Sequence, residues 1–283
     1  MFELLLLAVG IAGFGLGGYW DLRYTEFNDW LPYSMIIAAL AIRGAFAFFL
    51  GDISIIVNSL LVGLAFLGFG LLLYYLRQWG DGDAWLLGAL GFLFPTASGF
   101  TQVVEGIMPF PMTMFFNFFI VSLFYLVIYA LALGLRTPRV YGTFIRNLKG
   151  NMKLLAAVFF GLVAFTTSIS VYFWQAFDVP LSSFYGILLM PVLSLVILTF
   201  LYYARAVEGD LFKKKIPSSK LRVGDVLISD KWRGLTEKEV AQLKKKGGEV
   251  WIKEGVRFAP VFLINLIITL FYGSLFAAFF PAL

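Results

Sequence analysis

The sequence predicts an all-α integral membrane protein: a polytopic bundle of about eight transmembrane helices, with a small cytoplasmic α+β insert before the last helix. Three observations support this fold class. Of the 283 residues, 60% are hydrophobic and 14% are charged, and the mean hydropathy is +0.87, which is too apolar for a soluble domain. The apolar residues form runs of about 20, enough to cross roughly 30 Å of hydrocarbon. Most of the basic residues lie in two of the connections.

Eight apolar segments are long enough to be predicted spans. They are residues 2–20, 31–50, 53–76, 84–100, 112–135, 154–174, 184–204 and 258–280. The first segment has Glu3 instead of a basic cluster at its start and lacks a small-residue cleavage pattern at its end, so we expect it to stay as a helix. The turn Gly51-Asp52 separates the second span from the third. The predicted organisation is a transmembrane domain, a small cytoplasmic domain and a final transmembrane helix, over residues 1–204, 205–257 and 258–283.

The basic residues also predict the orientation. Residues 136–153 carry five Lys and Arg, and residues 205–257 carry fourteen of the total of 22. Loops rich in Lys and Arg stay in the cytoplasm, so both connections are predicted to be cytoplasmic and the amino terminus to be outside. Counting spans backwards places the connections 21–30 and 77–83 on the cytoplasmic side as well. Arg43, in the outer half of the second span, is expected to extend outward to the membrane surface.

The chain contains no histidine and no cysteine, and this excludes several classes of site. Zinc sites built from His and Cys, Ser-His-Asp triads, Cys-His dyads and disulfides cannot form. Any enzymatic chemistry therefore has to come from carboxylates, lysine, serine or tyrosine. We expect no metal and no other cofactor.

Two aspartates at the ends of spans form a candidate catalytic pair. Asp21 directly follows the first span and Asp83 directly precedes the fourth, and the predicted topology places both at the same membrane depth. A carboxylate at a membrane boundary is costly, so it is either functional or a solvated helix cap. Asp81 lies about 200° around a helix from Asp83, so the partner must come from another span. Two carboxylates that share one proton can activate both a water and a carbonyl, which is the chemistry of aspartic peptide hydrolysis.

The residues around both aspartates resemble a known family. Residues 80–83 read Gly-Asp-Gly-Asp, which matches a GxGD motif, and residues 21–29 read Asp-Leu-Arg-Tyr-Thr-Glu-Phe-Asn-Asp. Together they resemble the aspartate motifs of the type IV prepilin peptidases, in particular the archaeal preflagellin and prepilin peptidase branch of the GxGD membrane aspartic proteases. The resemblance implies that Asp21 and Asp83 are catalytic. Trp85 stands where family members often carry lysine.

The same resemblance implies the substrates: type IV pilin-like precursors with class III signal peptides, such as archaellins, pilins or adhesins. The absence of cysteine implies cleavage without the methylation that many bacterial relatives add. Gly80 and Gly82 would allow a substrate strand to approach closely. The carboxylates of Glu26, Asp29 and Asp81 would attract the short basic leader of such a precursor. For each of these acidic residues, ordinary solvation or helix capping is the other explanation.

Two further interpretations fit parts of the sequence. A multi-span proton- or cation-coupled transporter would also use carboxylates in the membrane, although the sequence has no internal repeat of the kind that many transporters show. The residues Pro281-Ala282-Leu283 match a motif of the presenilin and signal-peptide-peptidase relatives. Their predicted position on the outer side, away from Asp83, argues against that group.

The cytoplasmic insert has the composition of a small soluble domain. Thr236 and Glu239 have the spacing of a capping box, which predicts a helix over residues 237–246. Residues 226–228 and 250–252 are predicted strands. Its lysines are expected to contact anionic lipid headgroups. Nucleic acid is not an expected partner, because the short helix has no aromatic-rich surface beside it.

Overall fold

The computed structural model describes residues 2–97, 108–228 and 234–275. The fold is mostly helical, with a small antiparallel sheet near the C-terminus. In chain order the α-helices are α1 (Phe2–Tyr24), α2 (Trp30–Leu50), α3 (Ser54–Tyr75), α4 (Asp81–Leu93), α5 (Phe110–Leu135), α6 (Pro138–Gly150), α7 (Met152–Phe177), α8 (Tyr185–Leu188), α9 (Met190–Val207), α10 (Glu237–Lys246) and α11 (Pro260–Phe271). The strands are β1 (Lys213–Pro217), β2 (Val226–Leu227) and β3 (Glu249–Lys253).

Six helical segments within the described residues are long and apolar enough to cross a membrane, so the chain is a multi-span membrane protein. Five of them are α1, α2, α3, α5 and α7, and the sixth runs over Tyr185–Phe212. The chain divides into two compact units. The first unit contains Met1–Val127 and Gly255–Leu283, and the second contains Ile128–Glu254.

In the first unit, α4 is the most enclosed helix. Nine of its thirteen residues are buried, and it packs closely on α3 through glycines on both helices. A Cβ atom on Gly91 would lie 2.8 Å from the carbonyl oxygen of Val62, and one on Gly70 would lie 2.8 Å from that of Ala84. Such small residues let membrane helices approach backbone to backbone. The start of α4, which carries Asp83, is therefore fixed by a rigid helix pair.

The end of α4 corrects the span that the sequence predicted over residues 84–100. The helix ends at Leu93, and residues 98–107 lie outside the described part of the chain. Side chains from two other helices satisfy its last carbonyl groups: Arg43 Nη2 donates to Leu93 O at 2.8 Å, and Ser59 Oγ donates to Phe92 O at 2.7 Å. Arg43 is 5% exposed, so the expectation that it extends to the membrane surface is wrong. It is buried because the end of α4 offers it a carbonyl acceptor.

The last predicted span also contains a break. α11 ends at Phe271, and the chain then passes through Gly273, whose φ of 86° suits glycine. Asn117 of α5 satisfies the backbone at this break: its Nδ2 donates to Gly273 O at 2.7 Å, and Leu275 N donates to its Oδ1 at 2.9 Å. Buried irregular backbone is tolerated at membrane depth when side chains supply such bonds. Residues 276–283, which include the Pro-Ala-Leu match, lie outside the described residues.

In the second unit, the predicted loop over residues 136–153 is mostly helical, which the sequence interpretation did not anticipate. α6 occupies Pro138–Gly150 and buries Val140 against Ala206 and Val207. The predicted span 184–204 is divided into α8 and α9. Pro191 stands in the first turn of α9, where the missing N–H of proline is tolerated.

The insert is α+β, and its predicted helix is confirmed. α10 begins after a capping box in which Thr236 N donates to Glu239 Oε2 at 2.8 Å. The predicted strands correspond to β2 and β3, and β1 was not predicted. The sheet order is β1-β3-β2, with both pairs antiparallel. Leu221, Leu235, Val240 and Ile252 form its small core.

Candidate functional site

The two motif aspartates lie on separate helices of the first unit. Asp21 is in the last turn of α1 and is 6% exposed. Asp83 is in the first turn of α4 and is half-buried. Their carboxyl groups interact electrostatically with each other. The fold therefore places the two carboxyl groups within electrostatic range of each other, and the Asp21 side chain is almost fully buried.

Asp21 also contacts the beginning of the last helix. The backbone N–H of Ala259 donates to Asp21 Oδ2 at 2.8 Å, and Phe258 and Arg257 interact with the same carboxyl group. Gly18, one turn before Asp21, makes room for this contact, because a Cβ atom there would lie 3.2 Å from Pro260 Cα. A negative charge is favoured at this position, since the first N–H groups of a helix have no partner within it.

Asp83 occupies the third position of α4, three residues after the N-cap Gly80. The backbone of Gly80 hydrogen-bonds to its carboxyl group, which is the geometry of a carboxylate that reaches back to cap its own helix. Each aspartate is thus next to the start of a helix. Asp83 lies in the first turn of α4, and Asp21, which belongs to α1, contacts the start of α11. Both carboxyl groups therefore take part in helix capping, which was the other explanation for a carboxylate at a membrane boundary. Capping uses only part of each carboxyl group's hydrogen-bonding capacity.

An aromatic bridge, formed by Trp79, Phe118 and Phe258, connects the two segments that hold the aspartates. Trp79 immediately precedes Gly80, and Phe258 immediately precedes Ala259. The ring centroids of Trp79 and Phe258 are 5.7 Å apart, and each ring also contacts Phe118, at 5.5 and 5.9 Å. Aromatic pairs at such distances stabilise the contact beyond simple burial. The positions of the two aspartates are therefore coupled through packed rings.

The sequence interpretation did not identify residues 257–259 as part of the site. No sequence motif or spacing links these residues to Asp21, because the contact joins residues that are far apart in the chain. The available signal was Pro260, which favours the first turn of a helix and so predicts a helix start there.

The two predicted glycines have different environments. A Cβ atom on Gly82 would lie 2.5 Å from Phe27 Cζ, so Phe27, from the connection between α1 and α2, occupies the close approach that the sequence assigned to a substrate. Gly80 is exposed, and its φ of −72° and ψ of 156° are accessible to any residue. Gly82 is therefore required for internal packing.

The predicted leader-binding acids are all exposed. Glu26 and Asp29 lie in the connection between α1 and α2, and Asp81 opens α4. The Tyr33 hydroxyl lies within electrostatic reach of both Asp29 and Asp81, so these two carboxylates share one neighbourhood. Trp85, which stands where relatives often have lysine, packs edge-on against Tyr33 with ring centroids 4.7 Å apart.

No family model, curated protein or solved structure matches the chain. Among residues 2–97, 108–228 and 234–275, no group of three or more His, Cys, Asp or Glu side chains is placed to hold a metal ion. The chemical possibilities of the site therefore follow from its own residues: two carboxyl groups within electrostatic range of each other, backbone N–H groups at two helix starts, and an aromatic bridge.

Proposed function

We propose that the chain is an intramembrane aspartic endopeptidase of the GxGD prepilin and preflagellin peptidase type. The observation that supports it best is the electrostatic contact between Asp21 and Asp83, which come from the two motifs that resemble this family. Residues 1–204 would form the catalytic domain, together with the start of the last helix. Six long helices, with the shorter α4 and α11, would make up the eight spans.

In this mechanism one carboxylate removes a proton from a water molecule while the other, protonated, donates to the carbonyl oxygen of the scissile peptide bond. The water oxygen adds to the carbonyl carbon to form a tetrahedral diol. The C–N bond then breaks as the carboxyl group that took the water proton gives it to the leaving nitrogen, and the other carboxylate recovers a proton from a hydroxyl of the collapsing diol. The Ala259 N–H bond stabilises negative charge on Asp21. We therefore assign the base role to Asp21 and the acid role to Asp83.

The substrates that we propose are type IV pilin-like precursors, whose short basic leader is removed at the cytoplasmic face of the cell membrane. The exposed carboxylates of Glu26, Asp29 and Asp81 support this, because they offer a basic leader several acidic partners beside the aspartate pair. The proposed orientation has the amino terminus outside. The aspartates and residues 205–257 would then be cytoplasmic.

One observation favours a second function, a proton- or cation-coupled transporter. α4 and α11 are short apolar helices of thirteen and twelve residues; Asp83 lies in the first turn of α4, and Asp21 accepts a hydrogen bond from the residue before α11. In transporters, interrupted helices of this kind surround ion-binding sites near the middle of the membrane. The same carboxyl groups would then carry protons and hydrolyse nothing.

Leader release by the purified protein tests the proposal. Wild type, Asp21→Asn and Asp83→Asn are incubated with a pilin-type precursor that has a basic leader. Asp52→Asn is the matched control, because Asp52 is exposed between α2 and α3, where hydrogen bonds from Ser54 hold the pKa of its carboxyl group below its ordinary value. We expect each variant of the pair to lose roughly a thousandfold or more in rate and Asp52→Asn to keep the wild-type rate.

The outcomes separate the two functions. Leader release at the normal rate by either variant of the aspartate pair would contradict the catalytic assignment. A wild-type protein that releases no leader, but drives proton-coupled uptake that both variants abolish, would establish the transporter.

A further inference from the structure

A basic amphipathic helix, α6, joins two membrane spans in the second unit. α5 ends at Leu135 and α7 begins at Met152, and both are long enough to cross the bilayer. α6 follows α5 after two residues and precedes α7 by one. Both of its ends therefore lie at the membrane boundary.

Contacts with α9 fix its position at that boundary. Val140 is buried against Ala206 and Val207, the last residues of α9. The ring of Phe144 contacts that of Tyr203 with centroids 5.5 Å apart. The Tyr203 hydroxyl in turn donates to Ala130 O at 3.2 Å, near the end of α5. α6 thus packs where the spans on either side of it terminate.

The opposite side of the helix is basic. Arg139 and Arg146 are seven residues apart, which brings their side chains to within about 20° of each other around the helix axis, and Lys149 lies about 60° further on. These three form the basic face of α6; Arg136 lies just before the helix and Lys153 in the first turn of α7, so residues 136–153 carry five exposed cations and no acidic residue.

Among residues 2–97, 108–228 and 234–275, Arg139 is the member of this group that pairs with an acidic side chain. One ion pair joins Arg139 Nε to Asp210 Oδ1 at 3.4 Å, and the Arg139 side chain is largely exposed. The insert differs: Lys214 pairs with Glu254 at 2.7 Å, and Lys215 pairs with Glu249. The sequence assigned lipid contact to the lysines of the insert; residues 136–153 offer an external anion a second group of cations, in a segment without acidic residues.

We propose that α6 is an interfacial helix whose basic face binds the headgroups of anionic phospholipids. The five positive charges of residues 136–153, a segment that contains no acidic residue of its own, match the negative surface of a leaflet that contains such lipids. Tyr141, which lies between the basic and apolar sides, is 65% exposed, and tyrosine is enriched at the level of the headgroups. A soluble polyanion would match only the charge of this face. A helix that connects two membrane spans also lies at the level of the lipid headgroups, which favours lipid as the ligand. This inference does not rest on the proposed function.

Native mass spectrometry of the full-length protein, taken from micelles with equal amounts of phosphatidylglycerol and phosphatidylcholine, tests the proposal. The test variant is R146Q/K149Q/K153Q. The matched control, K244Q/K245Q/K246Q, removes the same charge from the last turn of α10, where all three lysines are exposed. We expect wild type and the control to retain phosphatidylglycerol preferentially, and the α6 variant to lose that preference about tenfold or more.

The charge-preserving variant R146K/K149R/K153R should keep the preference, which separates the charge from the identity of each side chain. Elution volume and helix content confirm that each variant is folded; all three positions are exposed, so folding is expected to be preserved. If the α6 triple variant binds phosphatidylglycerol as wild type does, or if both triple variants lose it equally, the basic face is not the lipid site. Loss of the preference in the charge-preserving variant would also overturn the proposal.

Discussion

Replacing Ala259 by proline removes the N–H group that donates to Asp21 Oδ2 at 2.8 Å and substitutes neither aspartate. Ala259 has a φ of −55°, which falls within the range of about −65 ± 15° that proline adopts. The ring carbon Cδ replaces the hydrogen and points at the carboxylate. Ala259→Pro is therefore a specific test of whether this bond holds Asp21 ready for catalysis.

The magnitude follows from the kind of bond and its burial. A hydrogen bond to a charged group contributes about 1.5–3 kcal/mol, and Asp21 is 6% exposed, so water cannot readily replace the lost donor. At about 1.4 kcal/mol per factor of ten, kcat for leader release is expected to fall by roughly 10- to 150-fold. KM is expected to stay within about twofold, because the bond is to the aspartate and not to the precursor.

The assay is leader release over a range of precursor concentrations, with Ala259→Gly as the control that keeps the N–H. Wild-type kcat in Ala259→Pro, in a preparation where Asp21→Asn is inactive, would refute the reasoning. An equal loss in Ala259→Gly would show that packing around the buried methyl group, and not the bond, accounts for the effect.

Three further substitutions have expected outcomes. Gly82→Ala forces Phe27 to move and should lower the free energy of unfolding, measured by thermal unfolding in detergent, by about 1–3 kcal/mol. Gly80→Ala should change the same free energy by less than about 0.5 kcal/mol, and equal effects would contradict the packing role of Gly82. Asn117→Leu removes the hydrogen bonds at the break in the last helix and should lower the free energy of unfolding by about 1–2 kcal/mol. Unfolding in denaturing detergent measures this change, and an unchanged unfolding midpoint would contradict the role of Asn117. Asp29→Lys should lower kcat/KM for a basic leader about fivefold, and less at high salt; an equal loss with a neutral leader would exclude an electrostatic role.

Most of the long helices could be predicted, because the thickness of the bilayer sets the length of an apolar run. α10 could be predicted because its start depends on Thr236 and Glu239, which are neighbours in sequence. α6 had a detectable signal, since Val140, Phe144 and Leu148 recur at helical spacing, but its many polar residues suggested a loop. The lysines of β1 suggested only a charge run, because its strand character depends on pairing with β3.

Features that depend on distant contacts could not be predicted. The end of α4 is determined by Arg43 and Ser59, which come from other helices, and the apolar pattern continues past Leu93 without a break. At the candidate site, the sequence paired Asp21 with Asp83 through their motifs and predicted membrane depth. It contained no indication that the backbone of Ala259 would bond to Asp21.

The enclosure of α4 makes the two helices that carry the carboxyl groups unequal in their exposure to the surrounding lipid. Asp83 stands on a helix with nine buried residues, whereas α1, which carries Asp21, presents Leu4, Leu5, Ile11 and Leu16 at its surface. Acyl chains of different length adjust the tilt of a helix that they touch. A thicker or thinner bilayer is therefore expected to act on the pair through α1 and not through α4.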